Sequence, residues 1–487
     1  MWANGEYGYH RDELYFIVCG QHPDWGYVDQ PPLVPLLASL MHALFPDSLT
    51  MFRLIPALAH AGTVALTAET ARKLGGGNWA QLLAGIAVFF CPLLLAFGTI
   101  FYTDSLQPIA WLFCAYALIG IIRDGNERWW LPMGLVIGLA FMAKYTIAFW
   151  VVALLIGLLL TPARRHLARP GPYIAAAAAT LIALPNLLWQ WVHGWPFLEF
   201  ASAVAESMNV VDAPWTFVLV QMRDLNPVTT AVWLAGLAAF AFWKRFADLR
   251  AIAIAYVVLL VAMAALHAKS YYPSGAYPVL FAGGAVAVEA WLASRRLRAA
   301  LLVGVVLLSL PLLPFVVPLL PIERFVAYQR FLGIAPEGTD RKLALGRLPQ
   351  LYAEMFGWRE LAALVGHAYQ SLSPQERANA VFFANNYGEA AAVDMFAKPW
   401  GVPPSISAHN NYGLWGTRGH SGDVVIHLGG SREDLLKVCA SVEAAGKTDN
   451  PWALPLETDQ TIWICRGRFK TLDDGWSKLK HYHCNPC

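Results

Sequence analysis

Two adjacent carboxylates, Asp12 and Glu13, sit in the run Tyr9-His10-Arg11-Asp12-Glu13-Leu14-Tyr15-Phe16. Neighbouring side chains on a helical loop point about 100° apart, so one of the pair faces a given site and the other is left to pair with Arg11. A carboxylate so placed could deprotonate an acceptor or hold a metal; a solvated acidic helix start beside a lipid surface is the alternative. Asp104, in Phe101-Tyr102-Thr103-Asp104-Ser105, lies between two apolar runs. A charge at the bilayer centre costs roughly 2.5–3.5 kcal/mol, and less at the edge, so a function or a helix N-cap for the run that follows is required of it. Lys144 lies between two apolar stretches. His267 and Lys269 precede Ser270-Tyr271-Tyr272-Pro273. Such cations, with Tyr271 and Tyr272 as hydrogen-bond donors, suit a departing phosphate, while a lysine that merely snorkels to the interface is the plain alternative. Asp29-Gln30-Pro31-Pro32-Leu33 reads as a turn that starts a helix.

The elements that position these groups are apolar. The chain of 487 residues is 57% hydrophobic and only 14% charged, against the quarter charged of an ordinary soluble protein. Runs at roughly 51–71, 78–98, 105–122, 129–143, 146–161, 172–190, 226–243, 251–267, 274–292 and 299–320 approach the ~20 residues that cross a bilayer. Basic residues follow every second run: Arg72 and Lys73; Arg123 and Arg128; Arg164, Arg165 and Arg169; Lys244, Arg245 and Arg250; Arg295, Arg296 and Arg298. The positive-inside rule makes that side cytoplasmic. The opposite side then carries residues 1–50, Asp104, Lys144, segment 191–225, Lys269 and everything after about Pro321, so the ionisable groups converge on one face. No signal peptide is visible, and with a net charge of +2 and no basic stripe outside the loops nothing points to a nucleic-acid partner, and none is expected.

From 321 to 487 strand and helix signals alternate, which predicts a small α/β domain. Strands are expected at 381–384, 424–428 and 461–465, and helices from Tyr387 through Phe396 and over Glu433–Ala445. Cys439 and Cys465 are a possible disulfide if this domain lies outside the cytoplasm. His483, Cys484 and Cys487 are an incomplete zinc set, better read as a frayed end.

The Asp-Glu run followed by Trp25-Gly26-Tyr27-Val28-Asp29-Gln30-Pro31-Pro32-Leu33 resembles the first extracytoplasmic loop of bacterial membrane glycosyltransferases. These are related to protein O-mannosyltransferases, the lipid A aminoarabinose transferase and the rhizobial galacturonosyltransferases. Tyr102-Thr103-Asp104, Ala143-Lys144-Tyr145-Thr146, Leu184-Pro185-Asn186-Leu187-Leu188-Trp189, Lys269-Ser270-Tyr271-Tyr272-Pro273, Asn386-Tyr387-Gly388-Glu389-Ala390 and Ala408-His409-Asn410-Asn411-Tyr412 are similar to later landmarks, in order. The resemblance implies a polytopic α-helical membrane protein of GT-C type over 1–320 with a soluble α/β domain over 321–487. It implies a further transmembrane helix ahead of the Asp-Glu loop, the chain starting inside that loop. It implies an inverting transfer of sugar from a polyprenyl-phosphate donor to a lipid-linked or envelope glycan acceptor at the periplasmic face of the bacterial inner membrane. Asp12 is then the base or the carboxylate that orients the acceptor, Glu13 and Asp104 orient substrates or a divalent metal ion, and Gln30, Lys144, His267, Lys269 and Tyr272 face the donor phosphate. Gln30 stands where aminoarabinose transferases carry a lysine, and an arginine expected after the Asp-Glu pair is replaced by Tyr15 nearby, so the sugar need not be aminoarabinose. The rival is a transporter or flippase, which would place its charges at mid-membrane and carry internal repeats. A non-catalytic envelope scaffold is a third reading.

Overall fold

The structure is a computed structural model and describes residues 3–207, 214–336, 338 and 344–482. The segment before the first expected span is itself helical. Helix α1 (Arg11–Gln21) is started by His10, whose Nδ1 accepts from the Asp12 amide at 3.2 Å while the Glu13 carboxylate accepts from the His10 amide at 2.8 Å, a reciprocal capping box. Pro31 and Pro32 end the connection, and α2 (Leu33–Leu44) begins at once.

A short α3 (Leu49–Phe52) leads into the apolar bundle: α4 (Leu54–Lys73), α5 (Asn78–Phe89), α6 (Pro92–Thr99), α7 (Gln107–Asp124), α8 (Trp130–Phe141) and α9 (Ile147–Leu159), then α10 (Pro170–Val192), α11 (Pro196–Ser207), α12 (Pro214–Leu225), α13 (Thr230–Phe242), α14 (Arg250–Ala265), α15 (Tyr277–Trp291) and α16 (Arg295–Ser309). Ten simple spans are not what forms. Among the described residues three helices are long and apolar enough to cross a bilayer unaided, and six if each bent pair counts as one span. The run at 78–98 is broken by a proline: with no amide hydrogen, Pro92 cannot extend α5, and α6 leaves at 64°; the 102° bend at Pro227 lies ahead of the run at 226–243, between α12 and α13. The runs at 129–143 and 274–292 give helices of 12 and 15 residues.

The alternation of loops holds. Lys73 pairs with Asp124 at 2.6 Å, Arg123 with Asp248 at 3.0 Å and Arg169 with Glu127 at 2.6 Å, and Glu289 accepts from the Gly77 amide at 2.7 Å. These bonds gather the basic loops at one end. At the other end the Leu33 amide donates to Met142 O at 2.9 Å, Asn186 to Trp25 O at 2.8 Å and Thr99 to Val316 O at 3.2 Å. Between the ends Trp111 and Trp150 stack at 5.6 Å. The glycines Gly236 and Gly284 let α13 and α15 touch backbone to backbone, the approach that small residues permit between apolar helices.

After α17 (Ile322–Phe331), α18 (Gln350–Ala353), α19 (Trp358–Ser371) and α20 (Pro374–Arg377), five strands form one sheet. They are β1 (Ala380–Ala384), β2 (Ile406–Ser407), β3 (Val424–Leu428), β4 (Cys439–Lys447) and β5 (Thr461–Arg468), in the order β2-β1-β3-β5-β4, with β1 parallel to both neighbours and β5 antiparallel to both of its own. Helix α21 (Tyr387–Phe396) follows β1, and α22 (Asn410–Trp415) follows β2. The helix expected over Glu433–Ala445 is wrong: only Arg432–Leu435 is helical, and Cys439–Lys447 is the edge strand. Pairing with β5 overrides the helix-favouring Glu and Ala, as tertiary context does for strand propensity generally. Cys439 and Cys465 are disulfide-bonded, joining β4 to β5. His483, Cys484 and Cys487 lie outside the described residues.

Candidate active site

Asp12 and Glu13 part company, as neighbours on a helix must. Glu13 is fully buried. Its oxygens accept from Arg53 Nε at 2.8 Å, Arg53 Nη2 at 2.6 Å, the Phe101 amide at 2.9 Å and the His10 amide at 2.8 Å. Arg53, equally buried, also donates to the carbonyls of Asn4 and Gly8. This paired charge ties α1 to the head of α4 and to the turn that carries Asp104. It fixes the frame of the site and leaves no open oxygen for a substrate.

Asp12 faces the other way, and its side chain is 22% exposed. Tyr387, the first residue of α21, donates its hydroxyl to Oδ1 at 2.7 Å. Beside it Arg11 pairs with Glu354 at 2.9 Å, and His10 Nε2 meets the same carboxylate at 2.9 Å. Burial pushes the Glu354 carboxyl up, but the Arg11 charge and the His10 bond more than offset this and bring it down to about 2. Asp29, on the α1–α2 connection, accepts from Tyr15 at 2.9 Å and from Asn410 at 3.2 Å. Loss of surrounding water pushes its carboxyl up to about 7 in spite of these bonds. The Val28 amide bonds Asn411 Oδ1 at 3.2 Å, and Asn411's own amide bonds Tyr15 at 3.2 Å. The C-terminal part of the chain is thus stitched to the connection that carries Asp29.

Asp104 does not cap α7 with its side chain. Its Oδ2 is ion-paired with Lys144, whose ammonium also lies 4.7 Å over the Tyr272 ring and 5.1 Å over Tyr271, an attraction worth about 0.5–2 kcal/mol per ring. Aromatic contacts continue from Tyr271 through Phe97 to Tyr102, whose hydroxyl reaches His10 Nε2 at 3.1 Å; His10 Nδ1 in turn holds the Asp12 amide. The two acid–base groups therefore belong to one contiguous assembly at one end of the bundle. Lys269 shares the turn before α15, which is anchored by Ser270 donating to Asp224 at 2.9 Å and by Gln221 donating to Ser270 O at 2.8 Å. His267 stands exposed at a positive φ of 50° at the end of α14. The Gln30 side-chain amide is buried and unpartnered among the described residues.

Reasoning from sequence passed over Arg53 and Glu354, since single charges near apolar segments give no pattern. Tyr387 had a usable signal. Asn386-x-x-Glu389 is a capping-box spacing, and it places Tyr387 at the tip of its helix. Among the described residues no group of three His, Cys, Asp or Glu side chains could hold a metal ion. Of the acids, Glu13 is committed to Arg53 and Asp104 to Lys144.

The sequence pattern of the dolichyl-phosphate-mannose-protein mannosyltransferase family matches residues 29–189. Lipid A galacturonosyltransferase RgtD of Rhizobium johnstonii is 30% identical over 183 residues, 37% of this chain and 38% of that protein's length. Among solved structures, ArnT from Cupriavidus metallidurans in the apo state superposes with a TM-score of 0.62 at 14% identity, covering 94% of this chain and 93% of that one. The same protein bound to undecaprenyl phosphate gives 0.60 at 15% identity, covering 95% and 93%. Over residues 29–189 the chain is thus similar in sequence to the mannosyltransferase family, and over nearly its whole length it shares the fold of the ArnT structures.

Proposed function

We propose that the protein is an inverting glycosyltransferase that moves a sugar from a polyprenyl-phosphate donor to a hydroxyl of a lipid-linked or envelope glycan acceptor. The observation that carries this reading is an accessible carboxylate, Asp12, held in one assembly with a lysine, Lys144, that lies over two aromatic rings at the same end of an apolar bundle. The acceptor oxygen attacks the anomeric carbon, the bond from that carbon to the phosphate oxygen breaks, and polyprenyl phosphate leaves with the bonding pair. Asp12 takes the acceptor's proton. Lys144 and Lys269, with the Tyr272 hydroxyl, stabilise the charge growing on the phosphate. Lys144 is held by Asp104 until an anion competes for it. The fold shared with a protein solved with undecaprenyl phosphate supports a polyprenyl lipid as the donor's carrier.

The ionisable end faces the periplasm on this reading, with the basic loops in the cytoplasm. The disulfide between Cys439 and Cys465 supports that placement, because such bonds persist in oxidising compartments.

The test is release of undecaprenyl phosphate by the purified full chain. Undecaprenyl-phosphate-linked galacturonic acid or mannose serves as donor, and extracted envelope lipid as acceptor. Asp12→Asn is expected to lower turnover at least 10²-fold, the lower end of what a general base contributes, with the protein still folded. Full turnover in that variant removes Asp12 from the chemistry and the reading with it.

A further inference from the structure

Helix α1 fixes where Asp12 starts but not which oxygen it offers, because the torsion between carboxylate and side chain is broad and two-fold. The group that settles it comes from the other half of the chain. We propose that Tyr387 is a positioning residue of the transferase: its hydroxyl holds Oδ1 of Asp12 so that Oδ2 is left to take the acceptor's proton, which makes the C-terminal domain part of the catalytic centre. This rests on the reading of Asp12 as the base.

Three observations support it. The bond is short, 2.7 Å, and goes to Oδ1; among the described residues no hydrogen bond is made to Oδ2 of this partly exposed side chain. Tyr387 is itself held on every side. Asn386 Oδ1 accepts from the amides of Gly388 and Glu389 at 2.9 and 3.0 Å, and Glu389 accepts from the Asn385 amide at 2.7 Å, so the helix tip is rigid. The ring lies 4.6 Å from Tyr15, 5.1 Å from His409 and 5.3 Å from the Arg11 guanidinium. Gly388 lets the backbone come this close, since a Cβ there would strike the Arg11 side chain. Finally, burial pushes the Tyr387 phenol well above its ordinary value of 10, against the opposing charge of Arg11, so it is a donor throughout the physiological range. The neighbouring Asn410–Asp29 bond docks the same domain a second time and does not depend on Tyr387.

The experiment uses the full chain with the two donors named above. Tyr387→Phe keeps the ring packing and removes only the hydroxyl. The expected result is a fall in kcat of at least tenfold, with donor KM within twofold and Tm unchanged. A role limited to packing would move Tm or KM and spare kcat. Wild-type kcat in Tyr387→Phe, where Asp12→Asn is inactive, overturns this inference and leaves the transferase reading standing. Full activity in Asp12→Asn overturns both. A second measurement needs no turnover: 3-fluorotyrosine placed at position 387 alone should change its ¹⁹F resonance on Asp12→Asn and not on the remote Glu376→Gln. The absence of that change overturns the inference whatever the donor turns out to be.

Discussion

At the scale of residues, the acids of the α1 region differ by what surrounds them. Glu13 is satisfied by an arginine and two amides, Asp12 keeps an open oxygen, and Asp29 has lost water without gaining a cation. The last has a measurable consequence. An acid whose carboxyl is raised in the folded state binds its proton more tightly folded than unfolded, so stability falls as pH climbs from the ordinary carboxylate range through about 7, and the cost is complete above it. Asp29→Asn should therefore be more stable than the parent by on the order of 1–2 kcal/mol at pH 8, with the gap narrowing at pH 5. Thermal unfolding at the two pH values reads this directly, and a constant gap would show that burial of the charge is not the cause.

At the scale of elements, the bundle depends on breaks and close approaches more than on long spans. The α13–α15 contact is made at Gly236 and Gly284, where any side chain would meet backbone carbonyl oxygen. A carbonyl on a packed helix cannot move aside as a flexible side-chain end can. Gly236→Val should cost about 1–3 kcal/mol as an overpacked core position does, measured as a lowered Tm in detergent, while Gly304→Val, at a glycine with open space around it, serves as the control with no such loss. An equal effect at both sites would mean that helix propensity, and not the interhelical contact, is being read.

For the whole molecule, the decisive contact is between the halves. Glu354 pairs with Arg11 and accepts from His10 Nε2, a buried knot between the C-terminal part of the chain and the head of α1. Removing one partner of such a pair leaves an uncompensated charge at a cost of roughly 3–5 kcal/mol, so Glu354→Gln should loosen the domain, raising protease sensitivity near residues 344–358 and lowering turnover together. The pH sign is opposite to that of Asp29. The Glu354 carboxyl is depressed, so its contribution is present above the ordinary glutamate range and is lost only as pH falls toward about 2. Domain release on mild acidification to pH 5 would count against this knot as the fastening.

Much of this was legible in the amino-acid order. The apolar runs and alternating basic loops located the bundle and its two ends, because bilayer thickness and charge bias act on composition alone. Asp12, Asp104 and Lys144 stood out because charge beside hydrocarbon is expensive and so conspicuous. Three things were decided only by tertiary structure. Which carboxylate is open depended on Arg53, forty residues from Glu13, a pairing no local pattern encodes. That Cys439–Lys447 is a strand and not a helix depended on β5 lying alongside to take its hydrogen bonds. That Tyr387 touches Asp12, 375 positions away in the chain, depended on how the two halves dock. Local sequence sets burial and turn chemistry, but a hydrogen bond between distant residues exists only once the chain between them has folded.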